Sequence, residues 1–277
     1  MYGVVTRNES ELTWSEFDTA FFEMKDVTGR ATTPVENGVN MVSCFGDNAA
    51  VEGDPDLAPV DDTGERATRE RRYFDWDYVC PTNETYRDGI LEMVADAAAA
   101  NEDVRLDDVG FPRGEYCHCD RCTRLFEASG HDDRLDWRTE VITEFVAEAR
   151  DLVPGRLYLT LYPDPYPGHL ERRSGIDVDA LAAHVDEFVV PVYDMGYTTT
   201  YWVETIASGF RDRLSAPFSV ELYAIDIDLD NLADAAEVAA AYGERVLFGY
   251  QAGNGRAVVR RLRADGQQGV SQGPDDV

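Results

Sequence analysis

Eight short apolar runs, most of them separated by stretches of helical spacing, recur along the chain and leave it very few architectures. The runs are 2–6, 38–45, 72–80, 104–109, 157–162, 188–193, 218–223 and 246–250, and the helical stretches are 14–24, 86–100, 136–153, 176–184, 202–214, 233–242 and 256–263. Such alternation calls for a parallel sheet covered by helices. Eight strands over roughly 250 residues is the count of a (β/α)8 TIM barrel, here α/β in class and irregular or incomplete at its N-terminal strands. An open doubly wound sheet would carry a glycine-rich phosphate turn after its first strand, and none is present.

Residues 1–265 are therefore expected to form a single barrel domain, with 266–277 a polar flexible tail. The first strand begins almost at Met1, which leaves room for a further segment upstream. Residues 46–72 are rich in Gly, Pro, Asp and Arg and show no helical period. A loop that long is either a lid or binding loop, or a solvated insert. The helix after Pro81 has Thr82 or Asn83 as its cap.

A barrel also dictates which side chains point inward. Aliphatic residues should face the covering helices, and the alternating polar set should face the lumen or its mouth. The rule turns Tyr158, Thr160, Tyr162, Ser219, Glu221 and Tyr223 toward the lumen or its mouth, together with Arg105 and Asp107, and leaves Asp108 on the rim or facing outward.

Charge restricts the partners. The chain carries 54 acidic against 25 basic residues, so a nucleic acid would be repelled. Lys25 is the only lysine. At 44% hydrophobic the chain is not a disordered acidic tail. Its carboxylates fit a hydrated shell in the salt-rich cytoplasm of a halophile, with an ordinary soluble acidic surface as the alternative. No run approaches the roughly 18 apolar residues of a membrane span, so neither a membrane nor a nucleic acid is expected as a partner. A homo-oligomer stays open.

Five cysteines do not read as a secreted disulfide framework. Cys117, Cys119 and Cys122 form C-x-C-x-x-C, and Cys80 is the candidate fourth ligand of a structural zinc ion. His118 is expected to face solvent, and Cys44 to be a small buried hydrophobe.

Active sites of this fold lie at the C-terminal ends of the strands. The acids there are Asp107 and Asp108, Asp164, Asp194 and Glu221. Two carboxylates across a sugar can divide protonation of the leaving oxygen from attack on the anomeric carbon. Trp76, Tyr162, Tyr193, Trp202 and Tyr250 are candidate sugar-stacking aromatics, with core packing the alternative for at least half of them.

The stretch LDDVGFPRGEYCHCDRC, with Cys80 upstream, resembles the structural zinc site of family 42 β-galactosidases. It also resembles a broader group of glycoside-hydrolase-type barrels whose fourth strand ends in L-D-x-x-x-[FY]-P. The likeness covers roughly residues 73–124, and elsewhere only strand order. It implies a nucleophile at Glu221 and an acid/base at Asp107 or Asp108, although this chain has Asp-Asp where that family has Asn-Glu. Inward facing selects Asp107, whereas counting back from Cys117 selects Asp108. Asp194, in VPVYDMGY, resembles the acid ending strand six of chitinase-like barrels, with an Asx loop cap as its other role. Glu221 has an alternative too, as a lumen residue paired with an arginine.

The expectation is a glycoside hydrolase acting on a carbohydrate through paired carboxylates. The alternative is a non-catalytic, carbohydrate-binding or degenerate barrel with a structural zinc. Metal-dependent hydrolysis is disfavoured, because four thiolates leave no position for water and no H-E-x-x-H occurs.

Overall fold

A computed structural model describes residues 1–194 and 196–270. In chain order the elements are β1 (Tyr2–Thr6), β2 (Thr19–Lys25), β3 (Val39–Ser43), α1 (Asn48–Gly53), α2 (Glu84–Ala100), β4 (Val104–Asp107), α3 (Asp120–Ser129) and α4 (Arg134–Leu152). There follow β5 (Leu157–Thr160), α5 (His169–Ser174), α6 (Val178–Leu181), β6 (Glu187–Pro191), α7 (Tyr201–Arg213), β7 (Phe218–Tyr223), α8 (Leu229–Ala240), β8 (Val246–Gly249) and α9 (Ala252–Val270).

All neighbouring strands pair in parallel, and Tyr2 of β1 aligns with Val246 of β8, so the sheet closes on itself without an edge. The sheet is the closed eight-stranded barrel of a (β/α)8 TIM fold. Its N-terminal part is irregular, as expected: among the described residues no α-helix separates β1 from β2 or β2 from β3, and the β2–β3 register shifts between Glu23 and Lys25.

The inward rule holds on β4, β5 and β7, where Arg105, Thr160, Ser219 and Glu221 face the lumen, but the lumen positions of β1, β2, β3, β6 and β8 are apolar. Val5, Phe21, Met41, Tyr158, Val189 and Leu247 pack on one another as the lumen core. Their neighbours Phe22, Val42, Leu106, Leu159, Val190, Leu222 and Phe248 belong to the outer layer, with Ile90 and Val94 of α2, Phe145 of α4 and Phe210 of α7. At about 25 cal/mol per Å² of apolar area removed from water, this outer layer is the main stabilising contact of each helix. Below the lumen core, buried Glu187 pairs with Arg156 and Arg245 and accepts a hydrogen bond from Ser219, which seals the N-terminal end.

Two strand assignments differ from expectation. The helix expected over 14–24 is β2. The apolar positions 14, 17, 21 and 24 match a helical period by coincidence. Ala20, Phe22 and Met24 face out while Phe21 faces the lumen, a period of two. The strand expected over 72–80 is a loop held by one isolated bridge, Gly46 to Tyr78. Its aromatic Phe74 is buried against Tyr78 and Tyr116 instead of in a sheet. The two errors cancel in the strand count.

Between β3 and α2 the long connection contains the short helix α1, which the sequence reading missed, started by Asp47 accepting from Ala50 N–H at 2.9 Å. Helices α3 and α5 were missed as well. Asn83, not Thr82, caps α2, accepting from Tyr86 N–H at 3.0 Å. Part of the expected polar tail, 266–270, continues α9, and 271–277 lie outside the described residues.

Candidate functional site

The C-terminal mouth of the barrel is built around Arg105. β4 turns this side chain into the lumen, where it is 1% exposed, and its guanidinium crosses the ring of Phe21 at 5.5 Å. Nη1 lies 2.7 Å from Glu221 Oε2, Nη2 lies 3.6 Å from Asp107 Oδ2, and Nε donates to Thr160 Oγ1 at 2.9 Å. Burial opposes the charge of Arg105, but the carboxylates of Glu221 and Asp107 more than offset it, so its pKa lies above the ordinary arginine value. The terminal nitrogens of one guanidinium are about 2.3 Å apart, so these contacts bring the Glu221 and Asp107 carboxyl oxygens within roughly 9 Å of each other.

Glu221 on β7 is fully buried. Its second oxygen accepts the hydroxyl of Tyr193 at 2.5 Å. Burial and the nearby Glu221 carboxylate push the Tyr193 hydroxyl, and likewise that of Tyr250, well above the usual phenol range. Tyr250 lies under the Arg7 guanidinium at 5.2 Å, and Arg7 pairs with Glu23 of β2. Desolvation raises the Glu23 pKa against the pull of Arg7.

The two acids ending β4 lie in different surroundings. Asp107 points inward, as its place on the strand requires, and its Oδ1 accepts the Asp108 N–H at 3.1 Å. Asp108 adopts a left-handed backbone (φ 51°), which aspartate tolerates better than most residues. That turn brings its carboxyl to β3, with Oδ2 2.6 Å from Ser43 Oγ. Asp108 therefore does not face outward. Burial first, then the charge of Asp107, pushes its pKa up to about 7; Lys25 pulls the other way, as does the Ser43 hydroxyl when it donates to the carboxylate. Lys25 is itself buried, its ammonium donating to Ser43 O at 2.9 Å and Gly46 O at 3.2 Å and pairing with Asp47 at 3.1 Å.

The other candidates divide. Asp194 accepts the Gly196 N–H at 3.2 Å, the loop-capping arrangement, and Asp164 pairs with His169 at 2.8 Å on the β5–α5 loop. Tyr162 and Tyr193 are about half exposed, and Trp202 is 56% exposed beside Tyr201. The Arg173 guanidinium lies 3.6 Å from the Tyr162 ring centre. Trp76 is partly buried against Tyr78, with its indole N–H buried and unpartnered among the described residues. Tyr250 is partly buried on the lumen core. The sequence reading overlooked Ser43, Lys25, Tyr166 and Tyr201. Tyr166 and Tyr201 follow strand ends and were legible from position alone.

Cys80, Cys117, Cys119 and Cys122 come together, with all four sulfurs within 4.8 Å of one another. A tetrahedral ion with bonds of about 2.3 Å needs sulfurs roughly 3.8 Å apart, so the cluster fits one. Backbone N–H groups of Val60, Cys119 and Cys122 point at sulfurs of the cluster at 3.4 Å, as donors to thiolates do. His118 is not part of the cluster and is tied through its backbone N–H to Val60 O at 2.7 Å. Cys44, the residue after β3, is fully buried. A cavity of about 720 Å³ lies elsewhere, in the β3–α2 connection between Val51 and Arg71, and holds none of the mouth acids. Among the described residues no helix is long and apolar enough to cross a membrane.

No family model matches the chain, and no curated protein matches it. Among solved structures it is similar to a GH18 chitinase from Cycas revoluta in complex with allosamidin, at 11% identity and a TM-score of 0.50, covering 96% of this chain and 99% of that one. It is also similar to the GH36 α-galactosidase AgaA from Geobacillus stearothermophilus, at 9% identity and a TM-score of 0.54. That match covers 95% of this chain and 41% of the galactosidase. At such identities the likeness is one of fold alone, a (β/α)8 barrel that these glycoside hydrolases also have.

Proposed function

We propose that the chain is a glycoside hydrolase in which Glu221 attacks the anomeric carbon and Asp108 protonates the departing oxygen. The observation that carries this reading is the contrast between the two acids. Glu221 is paired with the Arg105 guanidinium and accepts the Tyr193 hydroxyl, surroundings that suit a carboxylate that acts as an anion. Asp108 titrates near 7, so around neutrality a large share of it holds a proton to give. Asp107, favoured by strand direction alone, is spent on Arg105 and on the Asp108 backbone and serves to hold the acid's neighbourhood in place.

A glycosidic substrate would lie against Tyr162, Tyr193 and Trp202, whose exposed rings suit the C–H face of a pyranose. Zinc is the ion proposed for the four cysteines. It would close the site with thiolates and tie the loop carrying Cys80 to the loop that follows Asp108, a structural role with no open position for water. Retention follows if the Asp108 and Glu221 carboxyls are about 5–5.5 Å apart, and inversion at about 6.5–9.5 Å.

One observation favours the second reading, a carbohydrate-binding barrel without turnover: Glu221 has no exposed surface, and its arginine partner is the ordinary role of a lumen acid. The experiment that separates the two measures sugar binding and aryl-glycoside hydrolysis at high salt on one preparation. Release of the aryl group supports the hydrolase. Binding without release across α- and β-linked panels leaves the degenerate barrel.

A further inference from the structure

Ser43 Oγ has two oxygen neighbours, and one proton to give. It lies 2.6 Å from Asp108 Oδ2 and 3.0 Å from Gly46 O. A hydroxyl donates once and accepts twice. If Asp108 is ionised, only one of these contacts is a hydrogen bond, because both neighbours are acceptors. If Asp108 carries the proton, both are satisfied together, since the acid donates to Ser43 and Ser43 donates onward.

The geometry points to Ser43 as the positioning residue that fixes the acid's proton, through a chain running from Asp108 Oδ2 to Ser43 Oγ to Gly46 O. The inference rests on the reading of Asp108 as general acid and adds to it how that acid is held neutral and aimed. Gly46 O is an anchored end for the chain, because buried Lys25 also donates to it and to Ser43 O. Gly46 is fixed further by its bridge to Tyr78.

The groups facing Asp108 agree with a neutral acid. From β2 come Glu23 and Lys25, from β4 Asp107, from the β3–α2 connection the Cys44 thiol and the Tyr78 phenol, and from α2 the Tyr86 phenol. Burial keeps that thiol and both phenols in their neutral forms. The nearby ammonium is itself paired with Asp47, and the carboxylates of Asp107 and Glu23, although paired with Arg105 and Arg7, still act on Asp108 as negative neighbours. A third negative charge is poorly accommodated there.

The direction of a pKa change tests the chain. A hydroxyl that accepts from the neutral acid raises the acid's pKa, and one that donates to the carboxylate lowers it. Infrared spectra from pH 4 to 9 at high salt, taken as differences between each protein and its Asp108→Asn counterpart, isolate the Asp108 carboxylic-acid band. The expected results are a protonated band in the native protein at pH 6 and a midpoint that falls by roughly one pH unit in Ser43→Ala, the worth of one hydrogen bond. Ser43→Thr, which keeps the hydroxyl, should hold the native midpoint.

A midpoint that rises or stays in Ser43→Ala overturns the inference. So does the lack of an acid band at pH 6 in the native protein, a result that needs no Ser43 variant to fold. These spectra require no substrate. A protein that hydrolyses nothing but shows the downward shift would lose the proposed function and keep the Ser43–Asp108 chain. Turnover together with an upward shift would do the reverse.

Discussion

Tyr193 donates its hydroxyl to Glu221 Oε1 across 2.5 Å, joining a half-exposed ring at the barrel rim to a carboxylate with no surface of its own. The ring is where a sugar would rest, and the hydroxyl reaches the group proposed to attack it. Removing the hydroxyl alone, in Tyr193→Phe, deletes a charge-assisted bond worth about 1.5–3 kcal/mol. The expected outcome is a kcat lowered roughly 10- to 100-fold, with KM changed little. Steady-state kinetics on an aryl glycoside checks it.

Arg105 answers a different need, that of a buried anion for a partner. Arg105→Ala leaves Glu221 buried and uncompensated, and breaking such a pair costs about 3–5 kcal/mol. Denaturant unfolding should therefore show a large loss of stability. Most of it should return in Arg105→Ala/Glu221→Gln, which removes the stranded charge.

The Asp108 pKa of about 7 gives a signed dependence on pH. In the unfolded chain this carboxyl titrates near 4, so between pH 4 and 7 the folded state holds a proton that the unfolded state has lost. Its contribution to stability is whole below pH 4 and is lost as pH rises through 7. Asp108→Asn cannot ionise, and asparagine tolerates the left-handed backbone found there. Its stability relative to the native protein should thus climb from pH 4 to 8, by at most a few kcal/mol, while hydrolysis falls. Urea unfolding at the two pH values reads the first effect.

The cysteine cluster predicts one zinc ion per chain. Cys119→Ser or a strong chelator should release it and free the loop around Val60 from the loop around Cys117, which the cluster joins. Native mass spectrometry counts the ion. Limited proteolysis should find new cuts within 55–80 and 109–119 while the barrel strands stay protected.

How far the sequence foretold this follows from which physics is local. Leu157 to Thr160 and Phe218 to Tyr223 declare their faces by strict alternation, so the lumen placement of Tyr158, Thr160, Ser219 and Glu221 was legible. β2 was not, because its Phe and Met positions also satisfy a helical period, and only the lumen beside Tyr158 decides between the two. The meeting of the four cysteines could be read from spacing. The partnership of Ser43 with Asp108 could not, since it joins residues 65 positions apart through one left-handed turn that no periodicity announces.

The account depends most on Glu221 as a reacting group, and comparing the native protein with Glu221→Gln tests that most directly. Both are to be assayed against α- and β-linked aryl glycosides at high salt, with folding verified by circular dichroism. The expected result is hydrolysis of at least one substrate by the native protein and a loss of roughly a thousandfold or more in kcat in the variant. Equal rates in the two proteins would contradict it.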